Sequence, residues 1–291
     1  MTKGSWSFRG LVGDLGERDA AASIMAFTPQ GPVTWSASTL ASNVQKIAAG
    51  LTALGLVPGD PIAVWGPNTP EWITAALSVM AIGGVLVPID DGFGQEDADR
   101  LLTSAKAKAL LASGEHLDQL SESLKAQIQK TISFGSEEWA GLLDHAEADL
   151  PIIDDDQPAA LLATSGTTGA PKLFHLTHGN IAANVKALAD ADIAGPQDRV
   201  LLPLPLHHAY PLMVGMLTPL TVGTAIILPE RITGPHVLAA LADGGATVMI
   251  GVPRLYEALL AGLNARVDTL GRPARWLFGR LLALSDAVRK L

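Results

Sequence analysis

The sequence predicts an α/β protein made of layered sheets, rich in parallel strands, with helices on their faces. From about residue 60, short β-rich runs alternate with amphipathic helical stretches, which is the pattern of parallel strands joined by helical crossovers. Hydrophobic residues make up 48% of the chain and charged residues only 17%, a balance that argues against disorder. With 291 residues, the chain is also long enough to bury a large core.

The predicted strands are short, and the stretches between them suit helices. One helix is predicted to start at about Pro70 and to end at the pair Gly83 and Gly84, because glycine readily takes the conformation that closes a helix. A short apolar run after Lys172 leads into another helix, predicted to begin near His178. The predicted strands are 61–65, 85–89, 109–113, TISF near 131, 159–164, 199–204, 224–229 and 246–251.

The segment ADLPIIDDDQP, residues 148–158, is predicted to be a surface connection, since its three aspartates lie between prolines. A boundary there would divide the chain into a first α/β module, 1–156, and a second, 157–291. We interpret Asp154, Asp155 and Asp156 as a solvated charged turn rather than as catalytic carboxylates or metal ligands.

Composition excludes several classes of protein. The chain has 20 Lys and Arg against 29 Asp and Glu, a net charge of −9, which is the wrong sign for binding nucleic acid. It has no cysteine, so disulfides and thiolate metal sites are excluded. The start, MTKGSWSFRG, lacks the apolar core of a signal peptide, and no apolar run approaches the ~18 residues that a membrane-spanning helix needs. We therefore expect a soluble cytoplasmic protein.

Small residues and hydroxyls dominate the first half of ATSGTTGAPKLFHLTHGN, residues 163–180. Gly166 and Gly169 allow a tight turn that exposes backbone N–H groups, and Lys172 adds a cation, so the segment could wrap the phosphates of a nucleotide. The spacing fits neither GxxxxGK[ST] nor GxGxxG. A flexible surface turn is the plainer alternative for a generic loop of this composition. The candidate phosphate-binding residues are Thr164, Ser165, Gly166, Thr167, Thr168, Gly169 and Lys172.

The string TSGTTGxPK, from Thr164 to Lys172, resembles the phosphate-binding signature of the adenylate-forming enzymes, which include acyl-CoA synthetases, luciferases and peptide-synthetase adenylation domains. The resemblance resumes at Thr177, His178 and Asn180, and Leu173 departs from it where the family usually has glycine. It extends over nearly the entire chain through LGLVPGD, PNTPEW, GGVLVPI, PLPLHHAYP and ATVMIGVPRLYEALL, which occur in the family's order.

This resemblance implies a two-step reaction in which ATP activates a carboxylate as acyl-AMP and a thiol, usually that of coenzyme A, then captures the acyl group. Lys172, Thr167 and Thr168 are the catalytic candidates, because preplaced donors and a cation stabilise the departing pyrophosphate. Either Thr167 or Thr168 would reach Mg²⁺, and the sequence leaves open which of the two does so. No residue is assigned as a protein ligand of a resident metal, and a zinc site from His175 and His178 is rejected for lack of further ligands.

The same resemblance places His208 beside the substrate carboxylate, while the role of His207 stays open. Tyr210, with the apolar residues Met213 and Val214, would suit an acyl pocket, and the plainer alternative is that apolar residues at this helical spacing belong to the core. Without the resemblance, both histidines would be interpreted as structural. The terminal segment, 275–291, has an apolar stripe flanked by basic residues, as long-chain fatty acyl-CoA synthetases do, so a fatty acid is the expected substrate. Packing onto the protein is the plainer explanation of the stripe, and a peripheral membrane contact through 275–291 is the alternative.

The family's later motifs are not found before Leu291, so the resemblance identifies the chain as an incomplete N-terminal domain of the adenylate-forming fold. The remainder of the large domain and a C-terminal lid domain would be absent, and we expect the 291-residue chain to be inactive alone. One alternative is a non-catalytic acyl-binding or interaction module that a separate partner chain completes. Another is a different phosphoryl-transfer enzyme, which the absence of Walker spacing and of a kinase catalytic loop argues against.

Overall fold

Residues 6–18, 22–164 and 172–288 are described by the structure, which is a computed structural model. Their strands form two sheets, and the helices cover the faces of both. The strands are β1 (Ala22–Thr28), β2 (Gly31–Ser36), β3 (Pro61–Trp65), β4 (Val85–Ile89), β5 (Ala109–Ala112), β6 (Lys130–Ser133), β7 (Pro158–Thr164), β8 (Lys172–Thr177), β9 (Arg199–Leu201), β10 (Ala225–Leu228) and β11 (Val248–Met249).

The helices alternate with these strands along most of the chain, as predicted. A π-helical segment, Pro211–Leu217, leads directly into one of the helices. The helices are α1 (Phe8–Glu17), α2 (Ala37–Ala53), α3 (Pro70–Ala81), α4 (Gln95–Ala105), α5 (Gly114–Gln119), α6 (Glu122–Lys125), α7 (Glu137–Leu143), α8 (His178–Asp190), α9 (Thr218–Val222), α10 (Gly234–Asp243), α11 (Pro253–Thr269) and α12 (Arg272–Val288).

The six-stranded sheet has the order β6-β5-β3-β4-β7-β8, and only its last pair, β7 with β8, is antiparallel. The five-stranded sheet has the order β11-β9-β10-β1-β2, with β1 and β2 antiparallel and the other pairs parallel. The prediction of parallel-rich sheets flanked by helices is therefore confirmed.

The hairpin of β1 and β2 was not among the predicted strands. Strand β2 lies at a sheet edge and exposes much of its surface, so its sequence, GPVTWS, shows no clear alternation of apolar and polar residues. Strand β1 pairs with the distant β10, with Ile24 opposite Ile226. Strands β7 and β8 likewise belong to the same sheet as β3–β6. Both sheets therefore contain strands from before and after residue 156. The division into two modules stays a prediction.

Successive residues of the central strands face different cores, as the pleat of a strand requires. In β3, Ile62 and Val64 pack into a large core that also contains residues of the five-stranded sheet, whereas Ala63 and Trp65 pack against α4 on the opposite face. In β10, Ile227 faces α10 and α11 instead of the large core. The described residues therefore form five layers: helices, sheet, helices, sheet and helices.

Helix α3 lies in the middle layer and is buried on all sides, which explains why its sequence is apolar throughout. It begins as predicted, because the Thr69 side chain accepts a hydrogen bond from the Trp72 N–H and Pro70 occupies the first turn. It ends at Ala81, two residues before Gly83, whose φ of +78° suits glycine, and a Cβ at Gly83 would lie 2.7 Å from Ile153 Cδ1.

The stripe on α12 does not pack onto the described protein as expected. The side chains of Trp276, Leu277, Leu281 and Leu284 are all more than half exposed, and the Arg280 guanidinium lies 5.2 Å from the centre of the Trp276 ring. Among the described residues, no helix is both long and apolar enough to cross a bilayer.

Candidate functional site

Thr164 and Lys172 are the residue pair of the β7–β8 hairpin that flanks its connecting segment. They are paired across the two strands, and the Thr164 hydroxyl donates a hydrogen bond to the Lys172 carbonyl oxygen at 3.3 Å. Both residues are exposed to solvent. The predicted loop therefore connects two strands whose ends are held together. Its other predicted members, Ser165, Gly166, Thr167, Thr168 and Gly169, lie outside the described residues and remain predictions.

At its other end, strand β8 leads directly into helix α8. The residues of the motif T-H-x-N form the start of this helix. The Thr177 side chain accepts a hydrogen bond from the Asn180 N–H, and the Asn180 side chain accepts one from the Thr177 N–H, both at 3.1 Å. This capping box satisfies two backbone donors at the start of the helix. His178 is buried against the edge of Phe8, and burial lowers the pKa of its imidazole.

A rigid corner follows β4 at Asp90 and Asp91. The Trp65 indole donates a hydrogen bond to the Asp90 carbonyl oxygen at 3.0 Å, and the Gly92 N–H donates one to Asp90 Oδ1 at 2.9 Å. The His116 ring packs edge-on against Trp65, and its Nε2 lies 3.1 Å from the Asp91 carbonyl oxygen and 3.2 Å from the Asp91 carboxylate. Burial alone would lower the pKa of His116, but its contacts with Asp91 raise it above the ordinary value.

His207 and His208 face this corner from the loop after β9. Their Nε2 atoms lie 3.1 Å apart, and the His207 Nε2 also lies 3.5 Å from Asp90 Oδ2. The His207 side chain is only 11% exposed. Burial therefore lowers the pKa of His207 to about 4, with His208 acting in the same direction and the Asp90 carboxylate opposing it. At neutral pH, His207 is uncharged.

Asn68, in the loop after β3, holds the histidine loop in place. Its side-chain amide donates a hydrogen bond to the Leu204 carbonyl oxygen at 2.8 Å, and its Oδ1 accepts one from the Leu206 N–H at 3.0 Å. Asn68 therefore connects the ends of the two sheets directly beside His207.

Two cavities meet at His207 and Asp90. The first, which we call the hairpin cavity, has a volume of about 350 Å³ and is lined by Pro88, Asp90, Phe93, Leu101, Leu162, Ala163, Thr164, Phe174, His207, His208 and Ala209. The second, the inter-sheet cavity, has about 270 Å³ and is lined by residues 66–68, 90–92, 205–207 and 229–232 together with Trp72 and Leu202. The structure thus brings His208 and Thr164 to one cavity. Tyr210 is 46% exposed and lines neither.

Both cavities lie at the carboxyl ends of parallel strands. The hairpin cavity lies beyond β4 and β7, and the inter-sheet cavity lies beyond β3, β4, β9 and β10. In open α/β sheets, ligands bind in crevices outside these strand ends. The location, the exposed lysine and the histidine pair, in which His207 is largely buried and His208 is exposed, together suit a site for an anionic ligand with an apolar part.

Residues 16–285 match the family of AMP-binding enzymes. The chain belongs to this family.

Two relatives resemble the chain over most of its length. A feruloyl-CoA synthase from Amycolatopsis sp is 34% identical over 226 residues, which are 76% of this chain and 44% of that enzyme. The phenylacetyl-CoA ligase epaB from Aspergillus niger is 28% identical over 237 residues, covering 75% of this chain and 44% of the ligase. The chain thus spans less than half the length of these two relatives.

Two solved structures have the same architecture. ATP-bound MatB from Rhodopseudomonas palustris superposes with a TM-score of 0.76 and 26% identity over 88% of this chain and 51% of MatB. The N-terminal domain of FACL13 from Mycobacterium tuberculosis has a TM-score of 0.77 over 87% of this chain and 64% of that domain. At 21% identity, this second likeness concerns the fold alone.

Asp90, His116 and Asn68 were not among the residues predicted from the sequence. Asp90 and Asp91 follow a predicted strand, so their position at a strand end was a usable signal. Asn68 gave no such signal, because its importance comes from two backbone groups that are distant in the sequence.

Proposed function

We propose that this chain is the N-terminal part of an ATP-dependent ligase that converts a carboxylic acid first to acyl-AMP and then to acyl-CoA. The observation that carries the proposal is the closed pairing of Thr164 with Lys172 beside a cavity that His208 also lines. In this proposal, Lys172 would contact the triphosphate and His208 would contact the carboxylate. Family membership supports the same reaction class.

The residues present suit ATP and Mg²⁺. Lys172 is exposed at the end of the hairpin, and the segment it closes is rich in hydroxyl and N–H groups, which are donors for phosphate oxygens. Thr167 or Thr168 would supply an oxygen ligand to Mg²⁺. When bound, Mg²⁺ would neutralise charge on the phosphates. Lys172 would stabilise the pyrophosphate as it leaves, and coenzyme A would be the second substrate.

The proposed acyl substrate is a fatty acid. The side chains of Phe93, Leu101, Leu162 and Phe174 line the hairpin cavity and make most of its wall apolar, which suits a hydrocarbon chain. Tyr210 would contribute only by moving, because it does not line the cavity here. An aromatic acid is a second candidate, favoured by the 34% identity to a feruloyl-CoA synthase.

Calorimetric titration of the 291-residue chain with Mg-ATP, a long-chain fatty acid and ferulate tests the proposal. We expect Mg-ATP and one class of acid to bind, Lys172→Ala to weaken Mg-ATP binding at least about tenfold, and Lys186→Ala, an exposed lysine on α8, to leave it unchanged. Failure of Mg-ATP to bind at millimolar concentration would overturn the proposal. Preference for ferulate would reassign the substrate.

Pyrophosphate exchange on the same chain tests whether it acts alone. We expect no acid-dependent exchange, because the chain spans only 44% of its feruloyl-CoA synthase relative. Robust exchange would refute this expectation while supporting the ligase assignment. The alternative, a non-catalytic acyl-binding module completed by a partner chain, predicts that the acid binds and that Mg-ATP does not.

A peripheral membrane contact through 275–291 is a separate candidate, favoured by the exposed apolar side chains and by Arg280 on α12. Sedimentation with vesicles of phosphatidylcholine and phosphatidylglycerol tests it. We expect binding that Leu281→Glu abolishes. Equal recovery of both proteins in the supernatant would exclude the contact.

A further inference from the structure

We propose that Asp90 is a positioning residue that acts through His207 on His208. It fixes the tautomer in which His208 keeps its Nδ1–H free for an oxygen atom in the hairpin cavity. The proposal depends on the proposed function in one respect: it takes that oxygen atom to belong to a substrate carboxylate. The geometry itself belongs to the ligand-free protein.

The Asp90 carboxylate is held in a fixed position. Its carbonyl oxygen accepts a hydrogen bond from the Trp65 indole, and its Oδ1 accepts one from the Gly92 N–H. The carbonyl oxygen of the neighbouring Asp91 is in contact with the His116 ring. These contacts leave Oδ2 as the Asp90 oxygen that approaches His207, at 3.5 Å from Nε2. A carboxylate restrained in this way exerts a constant field on the ring.

This field determines which nitrogen of neutral His207 carries the proton. A lone pair on Nε2 would point toward a negative oxygen and be repelled, whereas an N–H there is attracted. Asp91 adds charge of the same sign near His207, but its carboxylate is engaged by His116 at 3.2 Å. His207 therefore carries its proton on Nε2.

The His207 proton in turn determines the form of His208. The two Nε2 atoms are 3.1 Å apart, and two N–H groups facing each other at that distance would repel, so the Nε2 of His208 is the unprotonated acceptor that shares the His207 N–H with Asp90 Oδ2. The uncharged form of His208 then carries its proton on Nδ1. That nitrogen makes no hydrogen bond with another described residue, and His208 lines the cavity that also reaches Thr164. A free N–H donor at this place is suited to a carboxylate oxygen.

Long-range proton–nitrogen NMR correlations of the ligand-free chain, labelled with ¹⁵N-histidine, test the proposal at pH 7.5. The His208 signals are assigned by their loss in His208→Gln. We expect wild-type His208 to be protonated on Nδ1. In Asp90→Asn the amide can donate to His207 Nε2, which makes that atom an acceptor, so the His208 proton should move to Nε2. Asp91→Asn is the matched control and should leave His208 unchanged.

Two results would overturn the proposal: a wild-type His208 protonated on Nε2, or an Asp90→Asn protein with an unchanged His208. If circular dichroism shows that Asp90→Asn does not fold, His207→Phe decides, because it removes the link and keeps a ring of similar size. His208 should then lose its preference for Nδ1–H, and a retained preference would contradict the proposal. A separate experiment adds fatty acid or ferulate and measures the His208 NMR signals. If these signals do not move, the result counts against the proposed function and leaves the tautomer assignment intact.

Discussion

Asn68 and Leu206 connect the two sheets through a hydrogen bond of 3.0 Å from the Leu206 N–H to the Asn68 side chain. A second bond from the same side chain, to the Leu204 carbonyl, makes this connection bidentate. The histidine loop is therefore attached to the end of the six-stranded sheet, although its own strand belongs to the five-stranded one.

Asn68→Ala should lower the free energy of unfolding by about 2–4 kcal/mol, because it leaves one partly buried N–H and one C=O without their partner. Urea denaturation measures the effect. Asn264→Ala, at an exposed position of α11, is the matched control and should change stability by less than about 0.5 kcal/mol. Equal effects of the two substitutions would mean that the connection between the sheets contributes nothing.

His207 should make the protein less stable as the pH falls. The unfolded chain takes up the proton near the ordinary pKa of 6.5, but the folded chain does so only near 4, because burial disfavours the charged ring. The free energy of unfolding should thus decrease between these values, by at most about 3 kcal/mol, and this contribution should level off below about pH 4.

The variant His207→Gln tests this dependence, since glutamine does not titrate. Urea denaturation from pH 7.5 to pH 4 should give a shallower loss of stability in the variant than in the wild type. Parallel curves for the two proteins would contradict the prediction, whatever their absolute difference.

Asp60 should stabilise the turn between α2 and β3. Its nearly buried carboxylate accepts a hydrogen bond from the Val57 N–H at 3.0 Å and forms an ion pair with half-exposed Lys108. Asp60→Ala should cost about 1–3 kcal/mol, because it removes the acceptor for the Val57 N–H. Asp60→Asn keeps an acceptor and should cost less. Thermal unfolding compares them, and an equal loss for both would assign the effect to the ion pair instead.

Leucines on α11 and α12 should differ sharply in their contribution to stability. Leu259 is 6% exposed and packs against the core beneath the five-stranded sheet, so Leu259→Ala should cost about 2–5 kcal/mol. Leu281 is 55% exposed, and Leu281→Ala should stay within about 0.5 kcal/mol of the wild type. A large loss of stability for Leu281→Ala in urea denaturation would show that α12 packs onto the protein.

Local structure and family membership follow from the sequence alone. Apolar runs located β3, β4 and β5 closely, and the signals at Pro70 and Gly83 located α3, because these features depend on neighbouring residues. The strands β9 and β11 are shorter than predicted. After β9 the chain contains Pro203 and Pro205, which lack the N–H that a sheet needs. The motif from Thr164 to Asn180 indicated the family correctly, because its signature lies in one continuous stretch of residues.

Long-range packing sets which of these elements meet. The pairing of β1 with β10, the connection from Asn68 to Leu206 and the approach of Asp90 to His207 all join residues that are far apart in the chain. No periodicity or spacing relates such residues, since their proximity results from burying both sheets against one shared layer of helices. The phosphate-binding segment follows from its own composition, whereas the surroundings of the histidine pair depend on how the two sheets pack.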